Sequence, residues 1–308
     1  MIVLRDTDAS SATAPASVGR SRTPPSLERR FATLAGVRDY QLSVPSGYAG
    51  QAVPLVVMLH GCHQTPRDFA LGTRMDELGE EFGCFVAYPD QPRSANLSRS
   101  WNWYRPGDQL RDRGEPSILA GITRRIMQDY AVDPARVYVA GLSSGGAAAA
   151  IMAQAYPDLY AAVGIHSGLA GGAAATMAAA FGAMRNGAPI RPPRAIRPLP
   201  TIVFHGDRDR TVSPVNGDQA IAQARPAGDL RACVVRGHAA SGMAYTRTAL
   251  TDASGLSVSE QWLLHGAGHA WAGGSLAGSY TDPKGPDASR EMLRFFLSHV
   301  KTDGPREH

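Results

Sequence analysis

The sequence predicts an α/β fold in which helices cover both faces of a mostly parallel central sheet. Several apolar runs have the length of strands buried on both faces, and VPLVVMLH at Val53–His60 is the clearest. Helical stretches alternate with these runs. No linker inside residues 30–301 is long enough to separate two domains, so the 308-residue chain is expected to hold one main domain.

The elements follow one another at regular intervals, and turn residues such as Pro45 and Pro89 close the first strands. Strands are expected at Arg38–Val44, Val53–His60, Cys84–Tyr88, Arg136–Ala140, Tyr160–His166 and Thr201–His205. Helices are expected near Arg67–Phe82, Ile118–Tyr130, Gly145–Tyr156, Ala173–Met184, Val215–Arg225 and Ser289–Val300. The turn at Asp252–Gly255 predicts an antiparallel hairpin between Ala244–Leu250 and Leu256–Leu264.

The composition limits the classes of function. With 31 basic and 27 acidic residues the net charge is only +4, so neither nucleic acid nor a membrane surface is expected as a partner. Three cysteines, Cys62, Cys84 and Cys233, are too few for a disulfide scaffold, and no zinc-site spacing is present. No apolar run has the length of a membrane span. A soluble protein that acts on a small or oligomeric molecule is expected.

The first 29 residues are rich in Ser, Thr, Ala and Pro without periodicity. They predict a disordered arm ahead of a single catalytic domain at residues 30–308. The arm lacks the apolar centre of a secretory signal, which favours a cytoplasmic location, although a secreted protein trimmed at its N-terminus would look the same. The oligomeric state is left open.

The clearest chemical motif is VYVAGLSSGG, in which a predicted strand runs through Gly141-Leu142-Ser143-Ser144-Gly145 into an Ala-rich helix. In this setting a G-x-S-x-G turn lifts the serine hydroxyl above the carboxyl edge of the sheet. The small residues on either side are needed because side chains there would strike the neighbouring strand and helix. Ser143 is therefore the candidate nucleophile, and the Ser144 amide faces the same space.

A serine nucleophile needs a base, and the base needs a carboxylate to orient it. The strand that ends at His205 leads into Asp207 and Asp209, and spacing alone does not choose between these two acids. Among the nine histidines, His269 best suits the base because it follows the last strand in a flexible, Gly-flanked loop. His265 in the same loop, and His238 in a segment expected to be irregular, are the competitors.

An oxyanion hole needs a second amide, from the loop after an early strand. LHGCHQ at residues 59–64 follows the Val53 strand, and the Cys62 amide is its candidate donor. Cys62 could also be interpreted as a nucleophile, but no partner motif accompanies it.

From about residue 30 to 300 the chain resembles the polyhydroxybutyrate depolymerase-type esterase family of α/β-hydrolases, which is related to feruloyl and acetylxylan esterases. The motifs that carry the resemblance are LHGCHQ, SWNWYRPGD, YAVDPARVYVAGLSSGGAAA, YPDLYAAVGIHSGL, FHGDRDRTV and HGAGHAWAGG. The resemblance implies the α/β-hydrolase fold. A family pattern, histidine–glycine–x–x–aspartate–x–x–valine, falls on His205 to Val212 and implies Asp209 as the acid. A second, glycine–histidine–x–tryptophan, falls on Gly268 to Trp271 and implies His269 as the base.

Two positions depart from the family. Members usually have a cysteine just before the WNW segment, where this chain has Ser100. If Cys62 pairs with that cysteine elsewhere, the bridge is absent here, and packing or hydrogen bonds must hold the oxyanion loop. The second departure is His63, a bulkier residue than the usual small polar one, and it is a candidate substrate-binding residue.

Two tryptophans, Trp103 and Trp271, are further candidates for substrate binding. The aromatic residues 101–104 could form a hydrophobic wall for substrate, but packing of a long loop onto the core is the favoured alternative.

The resemblance and the residues together predict a serine carboxylester hydrolase that works through an acyl-enzyme, with no metal or cofactor. The resemblance implies short-chain 3-hydroxyalkanoate oligomers or polyester as substrate, and the absence of an appended adsorption module favours soluble oligomers. A feruloyl or acetylxylan esterase is the alternative. A non-catalytic binding protein with the same fold is a lesser one, since such proteins typically lose a triad member.

Overall fold

The structure is a computed structural model that describes residues 3–6, 26–189 and 198–301. The strands are β1 (Val3–Asp6), β2 (Ser26–Thr33), β3 (Gly36–Ser43), β4 (Val53–Leu59), β5 (Phe85–Pro89), β6 (Val132–Leu142), β7 (Ala162–His166), β8 (Thr201–Gly206), β9 (Arg231–His238), β10 (Ala244–Thr251), β11 (Ser257–Leu264), β12 (Trp271–Ala272) and β13 (Thr281–Asp282). The α-helices are α1 (Pro66–Thr73), α2 (Met75–Phe82), α3 (Gly114–Asp129), α4 (Ser144–Ala155), α5 (Met177–Asn186), α6 (Val215–Gln223) and α7 (Ala288–Leu297), and a 3₁₀ helix spans Pro106–Gln109.

The central sheet has eleven strands in the order β1-β9-β10-β11-β8-β7-β6-β4-β5-β3-β2. Its middle, from β5 to β11, is parallel throughout. The antiparallel strands β3 and β2 extend the sheet beyond β5. On the opposite side, β10 pairs antiparallel with β11 as a hairpin. The predicted mostly parallel sheet is therefore confirmed. The carboxyl ends of β4, β6, β8 and β11 lie at one edge, so the loops that follow them meet there.

The core lies in two layers, one on each face of the sheet. Along β4, Leu55, Val57 and Leu59 face a cluster that includes apolar residues of α3, α4 and α6. Val56 and Met58 face the opposite cluster, which includes residues of α1, α2 and α7. Burial on both faces explains why the strand is apolar almost without interruption. None of the described helices is long and apolar enough to cross a membrane.

The helix predicted at Arg67–Phe82 is two helices, because Arg74 adopts a left-handed conformation with φ of 52° between α1 and α2. The helical spacing of apolar residues continues in the sequence across this break, because both helices pack on the same face of the sheet. Phe69 of α1 and Met75 and Leu78 of α2 belong to one core cluster.

Five of the described strands were not expected, namely β1, β2, β9, β12 and β13, and the longest of them are β9 and β2. The segment around His238 was predicted to be irregular, but His238 is the last residue of β9. This strand is half-exposed, and arginines interrupt its sequence, so it lacks the continuous apolar run of the central strands. Strand β2 begins at Ser26, ahead of the predicted domain start at residue 30, and its exposed charged residues resemble an arm in composition. Residues 3–6 of the predicted arm pair with β9, while residues 7–25 lie outside the described residues.

Candidate active site

The candidate nucleophile lies at the turn between β6 and α4. Ser143 has φ of 56° and ψ of −117°, a conformation that is costly for a residue with a side chain. A Cβ added at Gly141 would overlap the backbone of Gly145, and one added at Gly145 would overlap the carbonyl oxygen of Leu59. The turn is therefore compatible only with glycine at both positions, which is the steric basis of the G-x-S-x-G pattern.

The candidate acid, Asp209, lies in the loop after β8 and is 5% exposed. Its Oδ1 accepts hydrogen bonds from the amides of Thr211 and Val212, both at 2.9 Å. Its Oδ2 accepts from Nδ1 of His269 at 2.7 Å and lies 3.5 Å from Nε2 of His205. Burial raises the pKa of Asp209, but the hydrogen bonds from His205 and His269 outweigh this effect and hold the pKa well below its usual value. The group is an ionised carboxylate with its lone pairs occupied.

The candidate base is oriented by this bond. Because Nδ1 of His269 donates to the ionised Asp209, the neutral ring carries its proton on Nδ1 and leaves Nε2 as an acceptor. The side chain of His269 is 12% exposed, so it lies at the boundary between the core and the solvent. Within the described residues the Ser143 hydroxyl makes no hydrogen bond with His269, a contact that is often long in unliganded active sites.

The two competing aspartates have separate histidine partners. Asp207 accepts from Nδ1 of His265 at 3.0 Å and from the Gly266 amide at 2.7 Å, and both side chains of this pair are more than one third exposed. Asp209 and His269 form the buried pair. Of the two aspartates between which spacing does not choose, Asp207 thus belongs to a surface pair and Asp209 to an enclosed pair.

The predicted oxyanion loop lies against the serine turn. Sγ of Cys62 is 3.5 Å from Oγ of Ser144, the residue after the candidate nucleophile. Neither the Cys62 amide nor the Ser144 amide has a hydrogen-bond partner among the described residues. The Ser144 amide is also the first of α4, where the helix dipole favours negative charge. A free donor on the loop that lies against the serine turn and a second at the start of α4 are the kind of pair that can stabilise an oxyanion.

The oxyanion loop is held by hydrogen bonds on several sides. The three cysteines are free, so no bridge restrains Cys62. The amide of His63 donates to the Ser98 carbonyl at 2.7 Å, and the indole of Trp101 donates to the His60 carbonyl at 3.0 Å. These bonds fasten the loop to the segment where family members usually carry the second cysteine.

One side chain links the oxyanion loop to the loop that follows His269. Oε1 of Gln64 accepts from the Gly61 amide at 2.9 Å, and its Nε2 donates to the Ser279 carbonyl at 3.0 Å. Sequence reasoning did not single out Gln64, because a polar residue in a predicted loop gives no sign of a partner more than two hundred positions away.

The three candidate substrate-binding residues differ in exposure. His63 is exposed at the rim of the oxyanion loop, in a left-handed conformation with φ of 66°. Trp103 is 5% exposed and packs against Tyr104 in an edge-to-face contact, in a cluster with residues of α4. Loop packing, the alternative favoured from sequence, describes its position.

The side chain of Trp271 differs from the prediction most clearly. It is 1% exposed, is enclosed by Phe69 and His166, and donates from its indole to Ser289 at 3.0 Å. Its ring is part of the packed core and does not line an open surface. Among the described residues, no group of three or more His, Cys, Asp or Glu side chains could hold a metal ion.

The fold and the site define a class. A strained serine turn at the carboxyl edge of a parallel sheet, with an acid–histidine pair on loops after later strands, is the arrangement of the α/β-hydrolases. The chain belongs to the Esterase PHB depolymerase family, where PHB stands for polyhydroxybutyrate, because the family model matches residues 38–241. The matched range includes Cys62, Ser143 and Asp209, and His269 lies beyond it.

Individual relatives lie in more than one group of esterases. Poly(3-hydroxyalkanoate) depolymerase C of Paucimonas lemoignei is 33% identical over 205 residues, which cover 63% of this chain and 49% of that protein. Feruloyl esterase B of Neurospora crassa is 32% identical over 117 residues, covering 38% of this chain and 39% of that protein. An acetyl xylan esterase from Aspergillus awamori shares the fold, with a TM-score of 0.63 and 18% identity over 85% of this chain and 94% of that chain. The chain spans half or less of the length of these two curated relatives.

Proposed function

We propose that the protein is a serine carboxylic ester hydrolase in which Ser143 is the nucleophile, His269 the base and Asp209 the orienting acid. The observation that carries this proposal is the buried 2.7 Å bond from His269 Nδ1 to Asp209, because it leaves Nε2 unprotonated and able to accept a proton. Membership of the Esterase PHB depolymerase family supports the same reaction class.

The proposed reaction passes through an acyl-enzyme. Nε2 of His269 takes the proton of Ser143 as Oγ attacks the ester carbonyl, and Asp209 stabilises the imidazolium that forms. The amides of Cys62 and Ser144 donate to the developing oxyanion. The alcohol leaves with the proton from His269. Water then attacks the acyl group in the reverse roles and releases the carboxylic acid.

The proposed substrates are short-chain 3-hydroxyalkanoate oligomers or polyester. This choice is supported by the 33% identity to a relative named as a poly(3-hydroxyalkanoate) depolymerase, over the larger share of this chain. A feruloyl or acetylated carbohydrate ester is the second candidate, favoured by the relatives named as feruloyl and acetylxylan esterases.

Hydrolysis of p-nitrophenyl butyrate by the wild type and by Ser143→Ala tests the reaction class. We expect the variant to lose about 10³-fold or more in kcat. Equal rates in the two proteins would refute Ser143 as the nucleophile. The test would then no longer distinguish the proposed esterase from a non-catalytic binding protein. Product analysis on hydroxybutyrate oligomers, methyl ferulate and acetylated xylan then ranks the substrates. Release of ferulate or acetate at a higher kcat/KM than hydroxybutyrate would favour the second candidate.

A further inference from the structure

One buried histidine that the proposed reaction does not use contacts all three segments that carry the proposed catalytic residues. His166, the last residue of β7, has no exposed surface. We propose that His166 is a positioning residue, a neutral hydrogen-bond acceptor that fixes the His269 loop relative to the serine turn. The inference rests on the proposed function, since it concerns the geometry of the same triad.

The backbone of His166 restrains the nucleophile. Its carbonyl accepts a hydrogen bond from the Ser143 amide at 2.9 Å. A residue in the conformation of Ser143 persists only where its surroundings hold it. This bond is one such restraint, and it comes from the neighbouring strand.

The side chain of His166 restrains the base. Its Nε2 lies 3.0 Å from the amide nitrogen of Ala272, three residues after His269. Because a backbone N–H can only donate, Nε2 must be the acceptor, and the ring proton must lie on Nδ1. Nδ1 lies 3.1 Å from Oγ of Ser167, so the Nδ1–H group donates to that hydroxyl. Both ring nitrogens are therefore paired, and the tautomer is fixed.

The ring of His166 also contacts the segment that carries the acid. It stacks on Phe204 of β8 with 5.7 Å between ring centroids and 10° between planes, and on Trp271 with 5.0 Å and 25°. Phe204 lies five residues before Asp209, and Trp271 lies two after His269. The ring is thus packed between the β8 segment and the His269 loop.

The surroundings keep His166 uncharged. Burial, with smaller effects from nearby His205 and His269, lowers the pKa of His166 from 6.5 to about 3. A charged ring would carry a proton on Nε2 and would face the Ala272 N–H with a second donor. The neutral ring is the only form compatible with the observed bond, and it persists throughout the pH range in which an esterase with a histidine base works.

Three substitutions separate the parts of this role. His166→Phe keeps an aromatic ring between Phe204 and Trp271 but removes the acceptor for the Ala272 amide. His166→Gln removes the ring but carries an oxygen near the position of Nε2. His299→Phe is the matched control, because His299 is also buried and its ring nitrogens lie 2.7 and 2.9 Å from the carbonyl oxygens of Phe295 and Ser257, away from the site.

We expect His166→Phe to lower kcat for p-nitrophenyl butyrate about 100-fold, because displacement of a catalytic group by about 1 Å has an effect of this size. KM should change little, since no substrate contact is lost. His166→Gln should recover most of the lost kcat, and His299→Phe should lose stability but keep its kcat. In His166→Phe, hydrogen exchange should accelerate in the peptide that contains Ala272.

Other results would overturn the proposal. It fails if folded His166→Phe keeps its full kcat, if the Gln variant is as inactive as the Phe variant, or if His299→Phe loses as much kcat as His166→Phe. If His166→Phe does not fold, Ser167→Ala decides, because it leaves the Nδ1–H group of the buried ring without its acceptor and so disfavours the tautomer that accepts from the Ala272 amide. About a tenfold fall in kcat supports the role, and an unchanged kcat refutes it. Failure of the proposed function is distinct, since wild type and Ser143→Ala would then be equally active.

Discussion

Replacing Asp209 with asparagine exchanges one heavy atom of the candidate site. The exchange should invert the tautomer of His269, the histidine that Asp209 orients. The carboxylate oxygen Oδ1 accepts from the amides of Thr211 and Val212, and only the amide oxygen of asparagine can replace it there. The NH₂ group of Asn must then occupy the Oδ2 position, 2.7 Å from Nδ1 of His269. A donor at that place forces Nδ1 to accept, which moves the ring proton to Nε2.

A proton on Nε2 prevents His269 from accepting the proton of Ser143. The fall in kcat expected from a wrong histidine tautomer is about 10⁴-fold, or about 5 kcal/mol in the activation free energy. KM for p-nitrophenyl butyrate should change far less, because Asp209 is buried and has no contact with substrate. Steady-state kinetics of the purified variant measure both quantities, and a thermal unfolding curve shows that the variant is folded.

The matched control is Asp207→Asn, which alters the exposed pair with His265 and leaves the buried pair intact. We expect its kcat to stay within about threefold of the wild type. A folded Asp209→Asn protein that keeps kcat within about tenfold of the wild type would refute the tautomer argument. Greater damage from Asp207→Asn than from Asp209→Asn would transfer the role of the acid to the surface pair.

Three further outcomes are expected from the same structure. Cys62→Ala should keep kcat within about threefold, because the proposed oxyanion donor is the amide and not the thiol; loss of activity comparable to removal of the nucleophile would contradict this. Gly145→Ala should lower the free energy of unfolding by about 1–3 kcal/mol, because the added methyl overlaps the adjacent strand. The control Gly182→Ala lies in an open position of a helix and should raise the free energy of unfolding by about 0.5–1 kcal/mol. Urea unfolding measures both changes. Burial, with a smaller effect of Asp108, raises the pKa of Glu115 from 4.5 to about 7, so the folded protein retains a proton that the unfolded chain releases. This stabilisation is fully present below pH 4.5 and is lost as pH rises through about 7, a decrease of about 3 kcal/mol that Glu115→Gln should remove from the pH dependence of urea unfolding.

The parts of the site that sequence could predict are those whose constraints are local. The serine turn needs glycine two positions before and after Ser143, because overlaps arise within the turn and with the adjacent strand. Strand β4 was predictable because both of its faces are buried, which requires apolar residues at consecutive positions. In each case the physical requirement acts on consecutive residues.

The remaining parts depend on contacts between distant segments. Asp207 and Asp209 both follow β8, and only the folded positions of His265 and His269 assign each acid a partner. Strand β9 pairs with β10 through half-exposed residues, so its sequence lacks the apolar run by which the central strands were found. The role of His166 is also set by distant segments, since its ring contacts β8 and the His269 loop, and its place at the end of the buried strand β7 does not reveal these partners.

The oxyanion loop illustrates how noncovalent contacts can take the place of a bridge. A disulfide from Cys62 to position 100 would fasten the loop to one neighbour, the segment that precedes Trp101. The hydrogen bond from His63 to Ser98 makes that same connection here, and Gln64 adds a second connection to the loop after His269. Ser279 precedes Tyr280, whose carbonyl accepts from the amide of Trp271, two residues after His269, so displacement of the oxyanion loop would also disturb the base. The two halves of the candidate site are therefore held in register by one shared network, and a bridge restored at position 100 would stiffen only one side of it.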